Sequence, residues 1–134
     1  SVIKHGLKSR YKGEEQEEWK MAAYTEFNVD RIYKVFGKFA CALVSVKILT
    51  GRKHQIRQHF ANIGFPVVMD DQHGDKVFNR RFRLQYWLGR QFLHAEKLEF
   101  YHPFLKKIVN IEAGIAPDLK LALKRIMVPF RARR

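Results

Sequence analysis

The chain has 134 residues, a length that fits one domain, and its 26 Lys and Arg against 13 Asp and Glu give a formal charge of +13. A hydrophobic fraction of 46%, with 11 Phe, excludes a disordered basic tail and favours a folded core. The charge predicts a polyanionic partner, of which nucleic acid is the commonest; a membrane is disfavoured because no apolar run could cross a bilayer and no signal peptide is recognisable.

The one cysteine of the chain, Cys41, lies in an apolar stretch that is typical of a buried and inert thiol. These residues hold no second cysteine with which it could form a disulfide. The sequence therefore indicates a reducing compartment, and we expect a cytoplasmic location.

The first half of the chain predicts an arm, two strands and a helix. Residues 1–20 are polar and end in an acidic cluster, so we expect a loop or an outlying arm. Apolar and polar residues partly alternate over residues 21–49, which predicts two strands joined by a turn at residues 36–38. Residues 50–64 predict a helix, because the apolar residues recur at helical spacing and Gly64 suits its end.

The second half predicts further strands and helices that alternate along the chain. The expected elements are a short buried strand at 66–69, a polar loop at 70–75, a helix at 79–89 capped by Asn79, strands at 91–100 and 107–113, and a helix at 116–126. Residues 129–134 read as a frayed basic tail. This order, with its hairpins, predicts an α+β fold built on a largely antiparallel or mixed sheet with flanking helices.

The predicted helix at 50–64 begins with three basic residues, Arg52, Lys53 and His54. Cations are unfavourable there, because the helix macrodipole is already positive at its N-terminus. An external anion such as a phosphate would explain them, and a solvated basic face is the alternative. Arg57 lies at the margin of the apolar stripe, from which its guanidinium either turns into a cleft or extends to water, and spacing alone favours extension to water.

Other polar groups leave similar alternatives open. Arg80, Arg81, Arg83 and Arg90 form either a solvated helix face or a surface that binds RNA, and on a chain of this charge we favour RNA. The three aspartates at positions 70, 71 and 75 suit a loop that accepts backbone hydrogen bonds better than a cation site. The six histidines lack the spacing of metal ligands, so we predict no metal site.

Three ordered motifs between residues 21 and 126 carry a resemblance to a known family. These are "TGRKHQIRQH", "GFPVVMDDQHGD" and "FLHAEKLEFYHPF", and together they resemble the RluA family of pseudouridine synthases. The "HGD" loop, Asn79 and "HPF" most resemble the tRNA-modifying branch of that family. The chain departs from the family pattern at Met69, where a glycine usually precedes the aspartate.

The resemblance implies an enzyme that isomerises uridine in RNA, without cofactor or metal, after the target base is extruded into a pocket. It implies that Arg57 pairs with the family's catalytic aspartate, because a carboxylate in a partly dry cleft needs a cation to stay ionised. It implies that Leu93 packs against the target base, although ordinary core packing is favoured for Leu93 taken alone. Arg52, Lys53 and His54 then become phosphate contacts.

The catalytic aspartate of the family stands in an Arg-Leu-Asp segment that these 134 residues do not contain, since none of the five aspartates follows Arg-Leu. We therefore expect residues 21–128 to be the C-terminal part of a catalytic domain that is inactive alone. Its expected partners are tRNA and either the missing N-terminal half or a second copy bound through an exposed edge. The alternative is a non-catalytic RNA-binding module or a ribonucleoprotein component.

Overall fold

A long antiparallel hairpin forms the centre of the fold in the computed structural model, which describes residues 2–4, 7–8, 20–21, 23–51 and 53–128. Its strands are β4 (Tyr24–Val35) and β5 (Phe39–Ile48), with a bulge between Val29 and Arg31. Phe36 and Gly37 both adopt positive φ in the turn, a conformation that glycine takes readily. The predicted pair of strands and its turn are confirmed.

Short strands of the N-terminal segment either extend this hairpin or pair with each other. Strand β1 (Val2–Lys4) pairs antiparallel with β4 and completes a sheet of order β1-β4-β5, while β2 (Leu7–Lys8) pairs with β3 (Lys20–Met21). Residues 2–4, which we expected in an arm, therefore belong to the sheet edge. The prediction of a loop was wrong there because the backbone of β4 offers an unpaired edge to a short apolar segment.

A separate hairpin consists of β6 (Lys97–His102) and β7 (Lys107–Glu112), in antiparallel register from Lys97↔Glu112 to His102↔Lys107. The predicted strand at 107–113 is confirmed. The predicted strand at 91–100 begins only at Lys97, because residues 91–96 have no strand partner among the described residues. Every strand pairing that the structure describes is antiparallel.

The part of the chain that the structure describes completes the α+β fold with three helices, α1 (Gln55–Asn62), α2 (Lys76–Tyr86) and α3 (Pro117–Met127). Helix α3 agrees with its prediction and has Pro117 in its first turn, where the missing N–H is no loss. Among the residues that the structure describes, no helix is long and apolar enough to span a membrane.

Helix α2 begins three residues before the predicted start. Asp75 caps it by accepting hydrogen bonds from the backbone N–H of Val77 and Phe78 at 2.9 and 3.0 Å. The prediction of Asn79 as the cap was wrong, because Asn79 lies in the first turns of the helix and its side chain is turned to the preceding loop. Residues 66–69 form irregular backbone and a turn rather than the predicted strand.

The main core lies where one end of the β4–β5 hairpin meets α2 and α3. Its buried members come from all of these elements and from the loops between them: Val35, Met69, Phe82, Tyr86, Leu88, Leu119 and Ala122. Phe36, Cys41 and Phe78 pack against this cluster. Helix α1 packs on the other end of β4, with Phe60 edge-on to Phe27 at 5.1 Å between ring centroids.

Candidate active site

Helix α1 buries three polar side chains, Gln55, Arg57 and His59. Successive residues of a helix are 100° apart, so Gln55 and His59 share one side while Arg57 lies almost opposite. Gln55 and His59 face β4, and Arg57 faces the loop that precedes α2. Helix α1 is thus enclosed on two sides.

Hydrogen bonds to β4 fix the orientation of α1. The Gln55 amide donates to the Tyr24 carbonyl oxygen at 2.8 Å and to Thr25 Oγ1 at 2.9 Å. Thr25 Oγ1 also lies 2.6 Å from Nδ1 of the fully buried His59, and Thr50 Oγ1 donates to Gln55 Oε1 at 2.7 Å. Because buried polar groups are costly to leave unpaired, this network specifies one rotation of α1 and hence the direction of Arg57.

On the opposite side of α1, Arg57 forms a bidentate ion pair with Asp70. Its Nε donates to Asp70 Oδ2 at 2.8 Å and its Nη2 donates to Asp70 Oδ1 at 2.7 Å. The Arg57 side chain is 10% exposed and that of Asp70 is fully buried. Of the two interpretations left open by spacing, extension into water is wrong, because the guanidinium is turned inwards.

The loop around Asp70 is held by its own hydrogen bonds. Asp70 Oδ1 accepts from the backbone N–H of Gln72 and of His73, both at 3.0 Å, as we expected of a backbone-bonded loop. The Asn79 side chain donates to the Asp70 carbonyl oxygen at 2.8 Å and accepts from Met69 N–H at 2.9 Å.

Two backbone features explain the residue choice in this loop. Met69 has φ 66°, the left-handed region, which explains why glycine usually stands at this position in the resembling family. Here the strain is offset by burial of the Met69 side chain, which is 5% exposed and belongs to the core. A Cβ on Gly74 would lie only 2.3 Å from the Asp70 carbonyl oxygen, so any larger residue would displace the loop.

The contacts of Asp70 shift the proton equilibria of both partners. Burial raises the pKa of Asp70, but the hydrogen bonds from Arg57 and from the N–H of His73 and Gln72 outweigh it and lower that pKa to about 2. The hydrogen bond to Asp70 raises the pKa of Arg57. Both groups are therefore charged throughout the physiological range.

Part of the Arg57 guanidinium is still available for another acceptor. Gln72 Oε1 lies 3.4 Å and Asp71 Oδ1 lies 3.6 Å from Nη2, and the Asp71 side chain is 89% exposed. Within the described part of the chain, Nη1 donates to no acceptor. Since a guanidinium has five N–H donors in a fixed plane, Arg57 can bind a second carboxylate while Asp70 holds it.

The basic residues before α1 differ from the sequence prediction in one respect. The helix begins at Gln55, so Lys53 and His54 precede it rather than form its first turn, and Arg52 lies outside the described residues. His54 is the N-cap, in the left-handed conformation and without a side-chain capping bond, and it lies beside His73 at 5.8 Å between rings. Lys53 is exposed. Their phosphate contact remains a prediction.

The four predicted arginines of α2 and its following loop separate into two groups. Arg80, Arg81 and Arg83 are exposed on α2, and Arg81 lies over the Phe36 ring at 4.3 Å from its centroid. Arg90 instead forms a bidentate pair with Asp118 of α3, at 2.7 and 2.9 Å. That pair links the loop after α2 to α3, so part of the Arg90 charge is already matched within the chain.

Leu93 is half-buried in the irregular segment between α2 and β6. Its carbonyl oxygen accepts from Arg90 Nη1 at 3.3 Å. Among the described residues, no hydrogen bond joins this segment to Arg57. The role of Leu93 against a target base remains a prediction.

Two residues of the site were not predicted from the sequence. The sequence indicates Asp70 only as a loop acid and Asn79 only as a cap. The available signal was weak: Asp70 follows Arg57 by 13 residues, a separation at which pairing depends on the turn after α1. Asn79 lies in the first turn of α2, four residues after the actual N-cap, Asp75.

The known proteins to which this chain is similar are described as RNA-modifying pseudouridine synthases. A family model described as RNA pseudouridylate synthase matches residues 2–62. The chain is 44% identical over 82 residues to tRNA pseudouridine synthase C of Vibrio cholerae, which covers 59% of this chain and 34% of that protein. It is 40% identical over 96 residues to ribosomal large subunit pseudouridine synthase C of Escherichia coli (strain K12), and this match covers 70% of this chain and 30% of that protein. The chain thus spans about a third of the length of these curated relatives.

The fold is also similar to a solved structure. The human protein RNA pseudouridylate synthase domain containing 1 superposes with a TM-score of 0.67 over 91% of this chain and 51% of that one. At 24% sequence identity, this likeness concerns the fold alone.

Proposed function

The chain belongs to the RluA family of RNA pseudouridine synthases, and from that premise we propose that it is one portion of an enzyme that isomerises uridine to pseudouridine in RNA. In this reaction the C1′–N1 bond of the nucleoside breaks and a C1′–C5 bond forms. The proton on C5 is released to solvent and N1 gains a proton, so the atoms balance without any cofactor.

The observation that carries the proposal is the state of Arg57. Its guanidinium is buried and fixed, and Nη1 donates to no acceptor among the described residues. In our proposal this nitrogen binds the carboxylate of the family's Arg-Leu-Asp segment. A charge-assisted hydrogen bond to Arg57 would keep that acid ionised in a cleft from which RNA excludes water.

Asp70 is unsuited to be the reacting acid itself. Its side chain is fully buried, and both of its oxygens already accept hydrogen bonds. Its pKa of about 2 also makes it a weak base. We therefore assign the reacting acid to a part of the enzyme outside these 134 residues, none of whose five aspartates follows Arg-Leu.

We further propose how this portion meets the rest of the enzyme. Within the described residues β5 pairs only with β4, so its other edge is open. Large apolar side chains are exposed on the β6–β7 hairpin and its turn, among them Leu98, Tyr101, Phe104 and Ile108. An open edge and exposed apolar side chains favour a covering partner, which we take to be the missing portion of the catalytic domain. Self-association of the isolated chain is the competing outcome.

The substrate that we propose is tRNA, and the location is the cytoplasm. The net charge of +13 and the exposed Lys53, Arg80, Arg81 and Arg83 favour a polyanion. Leu93 and His54 are proposed to contact the target base and a phosphate, respectively. The relative with the highest identity given above is named for tRNA.

Tritium release from RNA labelled at C5 of uridine tests the proposal. The chain is assayed alone and after assembly with the segment of the V. cholerae relative that carries the Arg-Leu-Asp motif. We expect no release by the chain alone, release by the assembly, and loss of release in an assembly with Arg57→Ala. Lys120→Ala, which removes one exposed positive charge from α3, is the control and should retain activity.

The same experiment distinguishes the alternative function. A non-catalytic RNA-binding module would bind tRNA. Arg57→Ala would then only weaken that binding and reduce the slope of log K against log salt by about one. Release by the chain alone would contradict the assignment of the acid to another segment. An inactive assembly that forms a stable complex and binds tRNA would contradict the proposed enzyme.

A further inference from the structure

We propose that Asp70 is the positioning residue of Arg57: it binds one edge of the guanidinium so that the opposite nitrogen, Nη1, is presented to the reacting acid. This inference rests on the proposed function. It assigns a role in the reaction to a residue that touches neither the substrate nor the reacting acid.

The geometry of the Arg57–Asp70 pair fixes the guanidinium. Asp70 binds the Nε–Nη2 edge of Arg57 through two hydrogen bonds of 2.8 and 2.7 Å. A guanidinium is planar and rigid, so two bonds on one edge fix both the position of its central carbon and the orientation of its plane. The direction of the Nη1 N–H groups is then fixed as well.

Asp70 is itself held in place and cannot easily follow a moving arginine. Its Oδ1 accepts from Gln72 N–H and His73 N–H, and its carbonyl oxygen accepts from the Asn79 amide and from Gly74 N–H at 3.1 Å. The Asn79 side chain is itself buried on α2. Arg57 is therefore connected through Asp70 to a helix that belongs to the main core.

Helix α1 is also held on the side opposite to Arg57. Gln55 and His59 bind β4 and fix the rotation of the helix that carries Arg57. The backbone of Arg57 is thus held by β4 and its head group by the Asp70 loop. A long side chain fixed at both ends loses its rotamer freedom on folding rather than when substrate binds, which is the benefit of preorganisation.

Single-turnover measurements on the assembled enzyme test this role. Asp70→Asn should lower the rate constant of C5 tritium release by about 10²-fold, the usual effect of a misplaced catalytic group, and leave tRNA affinity unchanged. The double variant Arg57→Ala with Asp70→Asn should be no slower than Arg57→Ala alone. The control is Asp118→Asn, which removes the acid of a similar bidentate pair on the surface and should keep the wild-type rate constant.

Two readouts separate positioning from simple stabilisation of the fold. With enzyme in excess over RNA, a folding defect lowers the fraction of active enzyme, whereas a positioning defect lowers the rate constant of the active fraction. In addition, the Arg57 Nε–H resonance of the chain should exchange slowly in ¹⁵N NMR spectra and should exchange rapidly in Asp70→Asn.

A second variant, Gly74→Ala, should also lower the rate constant without changing either charge, because its Cβ would meet the Asp70 carbonyl oxygen at 2.3 Å. An active wild-type assembly in which Asp70→Asn keeps its rate constant would overturn this inference and leave the proposed function intact. An inactive wild-type assembly would overturn the proposed function and this inference with it.

Discussion

Replacing Asp70 with Asn removes the charge of a fully buried carboxylate while leaving the shape of the side chain almost unchanged. The amide oxygen can still accept from the N–H of Gln72 and His73. The amide NH₂ would then face Arg57 Nε, where an oxygen now accepts at 2.8 Å. Two donors would meet, and the Arg57 charge would stay buried without its partner.

The size of the destabilisation by Asp70→Asn follows from the lowered pKa of Asp70 and from the burial of the Arg57–Asp70 pair. The pKa of Asp70 is lowered from 3.8 to about 2, and since one unit corresponds to about 1.4 kcal/mol, ionisation of Asp70 stabilises the fold by about 2.5 kcal/mol at neutral pH. Loss of one partner from a buried ion pair generally costs about 3–5 kcal/mol. We therefore expect Asp70→Asn to lower the free energy of unfolding by about 3 kcal/mol.

Urea denaturation followed by circular dichroism measures this change. Asp118→Asn is the matched control, because Asp118 binds Arg90 with similar distances but its side chain is 48% exposed, and exposed ion pairs contribute little to stability. If Asp70→Asn is no more destabilising than Asp118→Asn, the pair does not hold Arg57 as described.

Three further predictions concern the same loop and the basic surface. The pKa of Asp70 is lower in the folded chain than in the unfolded chain, so the unfolded chain takes up this proton at a higher pH. The contribution of Asp70 to the free energy of unfolding should therefore fall by about 2 kcal/mol between pH 5 and pH 2, as measured by urea unfolding at each pH, and Asp70→Asn should lack this part of the loss. Gly74→Ala should destabilise the chain by about 1–3 kcal/mol, as overpacking does, whereas Gly51→Ala, whose Cβ would meet open space, should change the melting temperature little. Replacing the exposed Arg80, Arg81 and Arg83 together by alanine should weaken tRNA binding. It should also reduce the slope of log K against log salt by about 2–3, whereas Lys120→Ala should reduce that slope by no more than about 1 in the same titration.

Local patterns were sufficient where the structure depends on neighbours in sequence. The β4–β5 hairpin followed from alternation and from the glycine at its turn, and α3 followed from Pro117 and its apolar stripe. The start of α2 was missed because both Asp75 and Asn79 suit an N-cap, and only the loop decides between them. The strand expected at 91–100 was too long because pairing, not propensity, determines where β6 begins.

The site itself was only partly predictable. Arg57 stood out through the family resemblance, but its spacing alone favoured extension into water. Its burial depends on Asp70, and the position of Asp70 depends on a left-handed backbone at Met69 and on the Asn79 amide. No periodicity in the sequence reports such a set of contacts, because each links residues that different elements supply.

A crystal structure of the chain assembled with the Arg-Leu-Asp segment of its relative tests the central claim most directly. We predict that the carboxylate of that aspartate accepts a hydrogen bond from Arg57 Nη1 at about 2.7–2.9 Å while Asp70 keeps its two hydrogen bonds to Nε and Nη2. An assembled active enzyme in which Arg57 binds Asp70 alone, with the aspartate elsewhere in the cleft, would contradict it.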